Sequence, residues 1–330
     1  MALKMPDGPS PAPPYLPLTE RVLARLPGWR WPWMVAWSLL AGGPYYVTQL
    51  ANPHAPYPGD GFVVTATFGA LMSLWGAGML TRRLGALLPG LAELLPDERD
   101  PGAIFGALGS RRWPLILTFL SSVAFEGADF VTAPSLVTAV RVPLIFIGTL
   151  AGITAMWVVG ALLVATYRIG ARRLALRPFY LDPGLGLKAL GRLAFAGFII
   201  LIAFLGPVMV ATAGDLRADI FMYISVFGGV GLFFLSLSTL HAQAAAAKAE
   251  RLAWARRLYG EALVPLESGA DAGGLAARSA SLLAAAEIER KVLAIPEWPI
   301  DDWIWRTIVA ILIGASAGVA ARAIGSGLAL

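Results

Sequence analysis

No cysteine occurs among the 330 residues. That absence removes disulfides, thiolate metal sites and cysteine nucleophiles together. Histidine is nearly as scarce, with only His54 and His241, far apart in the chain. No H-E-x-x-H and no acidic cluster with metal-like spacing stands in or beside an apolar run, so zinc chemistry has no basis in the sequence. Residues 314–318 do spell G-x-S-x-G, but in the middle of an apolar run rather than at the strand-to-helix turn that a nucleophilic serine needs. The reading is of a non-enzyme with no cofactor and no metal. Charge is thin as well: 14% of residues are Asp, Glu, Lys or Arg while 57% are hydrophobic, where a soluble domain carries about a quarter charged residues. The formal charge of +5 needs no nucleic-acid partner, because membrane proteins gather Lys and Arg on cytoplasmic loops.

What is abundant is long apolar sequence. A helix needs roughly 20 mostly apolar residues to cross about 30 Å of hydrocarbon. Runs that meet this are Trp31 to Leu50, Gly61 to Leu80, Trp113 to Phe130, Val142 to Thr166, Leu193 to Ala213, Ile220 to Leu240 and Trp305 to Ile324. Tryptophans 29, 31, 33, 113, 298, 303 and 305 gather at the ends expected to be cytoplasmic, where an indole places its apolar face and its N–H in one interface.

Orientation follows from the basic residues between these runs. Four precede the first, five lie in 81–112, six in 167–192 and eight in 241–306, against only Arg141, Arg217 and Arg322 on the other side. A split of 23 to 3 puts the N-terminus in the cytoplasm and the C-terminus outside. The expected fold is therefore all-α: a polytopic inner-membrane protein with seven transmembrane helices and the lipid bilayer as its main partner.

Four regions are expected. Residues 1–30 hold a Pro-rich cytoplasmic tail and a short amphipathic helix, Glu20 to Leu26, suited to lie on the bilayer surface. Residues 31–240 form a six-helix bundle, in which Arg83 to Pro96 reads as an interfacial helix bent at Pro89-Gly90. Residues 241–300 form a cytoplasmic helical hairpin, with helices over Ala242 to Leu263 and Gly273 to Leu293 and a turn at Pro265 and 268–274. Residues 301–330 are the seventh span, with Asp301 as its cap.

Glycines 184, 186 and 191 have the outline of a phosphate loop, but they follow a loop rather than a strand and lack the Lys-Ser/Thr ending. A structural role suits them better, after a cap at Asp182 and a helix start at Pro183. His54 reads as an exposed loop residue and His241 as an interfacial side chain ending the sixth span.

Ionisable side chains at membrane depth are costly, which singles out Glu126, Asp129 and Arg141. They either close the outer ends of the third and fourth spans as a charge pair or line an outward-facing ligand pocket with aromatics such as Trp75, Phe125 and Phe130. The last span is distinct: Thr307, Ile311, Gly314, Gly318 and Arg322 fall on one narrow helical face. That face serves either close helix packing through Gly314-x-x-x-Gly318 or a pore around a symmetry axis, with Ile311 as apolar constriction and Arg322 as a basic ring.

With a helical rod before a small-residue final span, the arrangement resembles the seven-transmembrane ion channel superfamily that includes insect odorant and gustatory receptors. The resemblance implies a homotetrameric, chemoreceptor-type ion channel, its pore lined by the seventh spans, its cytoplasmic anchor formed by the preceding helices, and gating by a small-molecule ligand. The Gln-Phe that closes the last span of gustatory receptors has no counterpart between Thr307 and Gly325. Separately, Ile295-Pro-Glu-Trp-Pro-Ile-Asp and Asp182-Pro-Gly-Leu-Gly-Leu-Lys-Ala-Leu-Gly resemble segments of a group of prokaryotic membrane proteins. A non-conducting sensor that signals through the hairpin, and a small-solute carrier, are the alternative functions.

Overall fold

The computed structural model describes residues 13–51, 60–132, 136–211, 216–267 and 272–327. Among them every regular element is helical: α1 (Leu18–Leu23), α2 (Arg30–Ala51), α3 (Asp60–Leu94), a 3-10 helix (Pro101–Gly109), α4 (Arg112–Thr132), α5 (Leu136–Gly170), α6 (Lys188–Ala211), α7 (Leu216–Glu267), α8 (Ala272–Leu293) and α9 (Asp302–Gly327). The seven apolar runs fall on α2 to α7 and α9. Within the described residues α3, α5, α6 and α7 are long and apolar enough to cross a membrane.

Helix α5 is the hub, packed against α2, α3, α4, α6 and α7. In lipid there is little hydrophobic force between helices, so close backbone approach through small residues does much of the packing. Gly148 of α5 is one such place: a methyl group there would stand 2.7 Å from the Ala41 Cβ of α2. The largest apolar core lies toward the basic end of the bundle, where Leu84 and Leu91 of α3, Phe105 of the 3-10 helix, Leu162 of α5, Phe198 of α6 and Phe233 of α7 are fully buried.

Three local expectations change. The amphipathic segment after the Pro-rich tail does not float: α1 buries Thr19, Glu20 and Leu23, and the Glu20 carboxylate is ion-paired with Arg30. A buried acid needs that partner, so the acidic side of α1 faces the bundle. The segment Arg83 to Pro96 is not a separate interfacial helix, because α3 runs unbroken through Pro89 to Leu94. Its leucines are covered by protein, with Leu84, Leu91, Leu94 and Leu95 all buried.

The sixth apolar run and the first hairpin helix are likewise one element. α7 spans 52 residues, about 78 Å at the α-helical rise, and the boundary drawn at 240/241 falls inside it. Nothing between Gly231 and Gly260 interrupts a helix, since that stretch holds neither Gly nor Pro and is rich in Ala, Leu and Arg. The far half of this rod packs against α8, tied by Arg256 Nε to Glu289 Oε1 at 3.1 Å.

Candidate functional site

Two segments singled out by their sequences, Asp182 to Gly191 and Ile295 to Asp301, meet in space. The first is a tight turn: the Asp182 carboxylate accepts the Gly184 N–H at 2.8 Å and the Gly186 N–H at 2.9 Å, while Leu185 and Gly186 take positive φ of 56° and 85°. The glycine pattern is thus structural, the Gly184 and Gly186 N–H groups occupied by the chain's own carboxylate and that of Gly191 donating to the Leu187 carbonyl oxygen. Asp182 caps this turn rather than a helix starting at Pro183, and α6 begins at Lys188.

One turn into α6, Gly191 sits against the Pro299 carbonyl oxygen, and a methyl group there would overlap it. This contact lays the 295–301 connector across the start of α6. Asp301 then receives two cations, Lys188 Nζ at 3.3 Å and Arg192 Nε at 2.6 Å. The hydrogen bond from Arg192 is the main reason the Asp301 carboxyl is held below its ordinary pKa of 3.8. Asp301 does stand at the N-cap position of α9, since its carbonyl accepts from Ile304 N at 2.9 Å; its side chain is directed to α6.

Aromatic rings complete this root of the last helix. His241 of α7 stacks on Trp298 with centroids 4.3 Å apart and places Nδ1 3.1 Å from the Glu297 carbonyl oxygen. Phe234 of α7 stacks on Trp305 at 5.0 Å, and Phe195 of α6 meets Trp303 edge-on at 5.1 Å. Lys248, further along the rod, reaches Glu297 Oε1 at 3.3 Å. A cleft of about 400 Å³ opens beside the junction, bounded by Leu87, Leu91 and Leu94 of α3 and by Arg177, Lys188 and Arg192. Its cations are already partnered, Arg177 with Glu93 and the other two with Asp301.

Beyond its root, α9 is held along one face. Ile304 and Ile308 are buried and Ile311 and Leu312 pack half-buried on the core, with α7 the main neighbour. The opposite face, made by Val309, Ala310, Ile313, Gly314, Ser316 and Ala317, is exposed, and nothing lies within 4 Å of a methyl group placed on Gly314. The face selected from sequence therefore lies at the edge of the packed side: Thr307 is half-buried, its hydroxyl donating to the Trp303 carbonyl oxygen at 2.8 Å, Ile311 rests on the chain's own core, Gly318 is half-buried and Gly314 is open. Ile313 is the larger and more exposed of the two branched apolar residues on the free face, at 64% against 47% for Val309. Sequence periodicity marked α9 as amphipathic in size but could not say which side its own bundle would take.

Of the polar pocket candidates, Trp75 lies on α3 and is 38% exposed. The side chains of Phe125, Glu126, Asp129, Phe130 and Arg141 lie outside the described residues, as do the side chain of Arg322 and the whole of His54. Among the described residues no group of His, Asp and Glu could hold a metal ion. No family model, curated protein or solved structure matches the chain, and none of these comparisons links it to the seven-transmembrane channel superfamily.

Proposed function

We propose that the protein is a homo-oligomeric ion channel of the inner membrane, a tetramer with seven spans per subunit, N-terminus in and C-terminus out, whose last helices surround the axis. The observation that carries this reading is α9, fixed to its own subunit along one face and bare along a largely apolar, small-residue face. Four such faces around an axis would bury one another and leave a narrow apolar passage, with Ile313 rather than Ile311 as the constriction. Exposed apolar side chains on the hairpin, Trp254 of α7 at 43% and Leu283 of α8 at 71%, suit a bundle of hairpins beneath it. A small ligand in the outward-facing patch near Glu126, Asp129 and Arg141 would gate it.

Purified protein should run as a tetramer by mass in mild detergent and conduct when reconstituted into planar bilayers; a monomer rejects this form of the proposal. A reporter fused after Leu330 should be external and one inserted at 269–274 cytoplasmic. The second reading, a non-conducting sensor, draws on a different observation: α7 is continuous from the apolar bundle to the tip of the rod, so a tilt imposed at one end moves the other. A stable oligomer that never conducts selects it.

A further inference from the structure

We propose that Arg21, Arg25 and Arg111 form a binding site for the headgroup of an anionic phospholipid, independent of whether the chain conducts. Arg21 and Arg25 come from α1 and the turn after it, and Arg111 from the residue just before α4, about 90 residues away. They are brought together because Gly109 lies directly against the Pro14 carbonyl oxygen and beside the Arg21 guanidinium, leaving no room for a side chain. Arg21 is fixed by its own backbone contacts, Nε donating to the Leu16 carbonyl oxygen at 2.8 Å and Nη2 to that of Pro14 at 3.3 Å.

None of the three, nor neighbouring Arg112, has a carboxylate partner among the described residues. The nearest acid in sequence, Glu20, is committed to Arg30. Burial, followed by the charges on Arg111 and Arg25, holds Arg21 below its usual guanidinium pKa. Cations crowded without counter-charge repel one another, and an anion held among them relieves that repulsion.

The surroundings select a lipid as its source. Trp113, next after Arg111 and Arg112, is 49% exposed and stacks on Trp157 at 6.1 Å. Below them α4 presents Leu115, Leu117, Phe119 and Leu120 to its surroundings. Cations followed along α4 by the Trp113–Trp157 indole pair and then by an apolar helix face match the headgroup, glycerol and acyl levels of one phospholipid.

The test compares phosphatidylglycerol with phosphatidylcholine of the same acyl chains, titrated onto detergent-purified protein and read as bound lipid by native mass spectrometry. The natural protein should hold phosphatidylglycerol in preference. Arg25→Gln with Arg111→Gln, which spares the fold-supporting Arg21, should weaken it roughly 10- to 30-fold, while Arg256→Gln with Arg257→Gln on the distant rod should not. Equal affinity for the two lipids in the natural protein, or unchanged phosphatidylglycerol affinity in the first double variant, overturns the proposal. So does displacement by inorganic phosphate at matched concentration, which would make the site one for free anions. Should the double variant fail to fold, the preference and its loss with rising salt in the natural protein decide the matter.

Discussion

Arg192 on α6 and Asp301 at the head of α9, 109 residues apart in sequence, are joined at 2.6 Å, and this pair sets where the last helix enters the bundle. Asp301 is 15% exposed and shares its other oxygen with Lys188. Loss of the carboxylate charge leaves two cations without a partner at one point. Both have access to solvent, however, which limits the cost. Asp301→Asn should lower stability by roughly 1 kcal/mol, seen as a lower thermal midpoint in detergent. In a double-mutant cycle with Arg192→Gln the losses should be less than additive. Additive losses would mean the pair does not act as a unit.

A tighter constraint lies one turn away, at Gly191 against the Pro299 carbonyl oxygen. Gly191→Ala should force the 295–301 connector off α6 and cost about 1–3 kcal/mol as an overpacking change. Gly160 of α5 gives the contrast, since nothing stands within 4 Å of a methyl group there. Gly160→Ala should hold or raise stability, by up to about 1 kcal/mol from helix propensity. Equal effects of the two, read as thermal midpoints and protease sensitivity of the connector, would show that the close contact is not formed.

These two residues mark the limit of what the sequence disclosed. Long apolar runs leave a chain in lipid no choice but helix, so the location of α2 to α7 and α9 was readable. Helix ends were less so. Polarity changes at His241, but an Ala-rich stretch without Gly or Pro continues the helix regardless. Asp301 was recognisable as a helix start from its local setting, whereas its cation partners on α6 are a tertiary fact. The same holds for Gly191: a glycine beginning a helix signals a structural need, and only the fold shows that the need is room for Pro299. On α9, spacing identified small residues, while the side its own bundle would take depended on α7.

Glu20 and Asp301 should respond to pH in opposite directions. Burial raises the Glu20 carboxyl above its ordinary 4.5 despite the opposing pull of Arg30, so the folded state binds this proton more readily than the unfolded chain. Its contribution to stability is fully present below about 4.5 and is lost as pH rises through the folded value. Asp301, held below 3.8, contributes fully above that value and loses its contribution as pH falls through the lower folded one. Glu20→Gln should therefore leave the thermal midpoint at pH 7 unchanged or raised, where Asp301→Asn lowers it, and its advantage should shrink toward pH 4. A midpoint at pH 7 lowered as far as in Asp301→Asn would show that the ion pair with Arg30 outweighs the cost of burial.

The last helix offers the sharpest test, because two isoleucines two residues apart have opposite settings. Ile311 is half-buried on the chain's own core and Ile313 is 64% exposed. In an axial pore an apolar ring excludes water and holds the passage closed. Ile313→Ser should then raise basal conductance of reconstituted protein with little loss of stability, while Ile311→Ser should destabilise the subunit by about 1–3 kcal/mol through a polar group placed in an apolar contact. Arg322→Glu should shift the reversal potential toward cations under a salt gradient, since a ring of guanidinium groups at the mouth opposes them. If instead α9 only packs between subunits, Ile313→Ser should change oligomer mass and produce no current. Well-assembled Ile313→Ser and Arg322→Glu proteins that both remain silent in bilayers would remove α9 from the role of pore and leave the continuous α7 rod as the functional element.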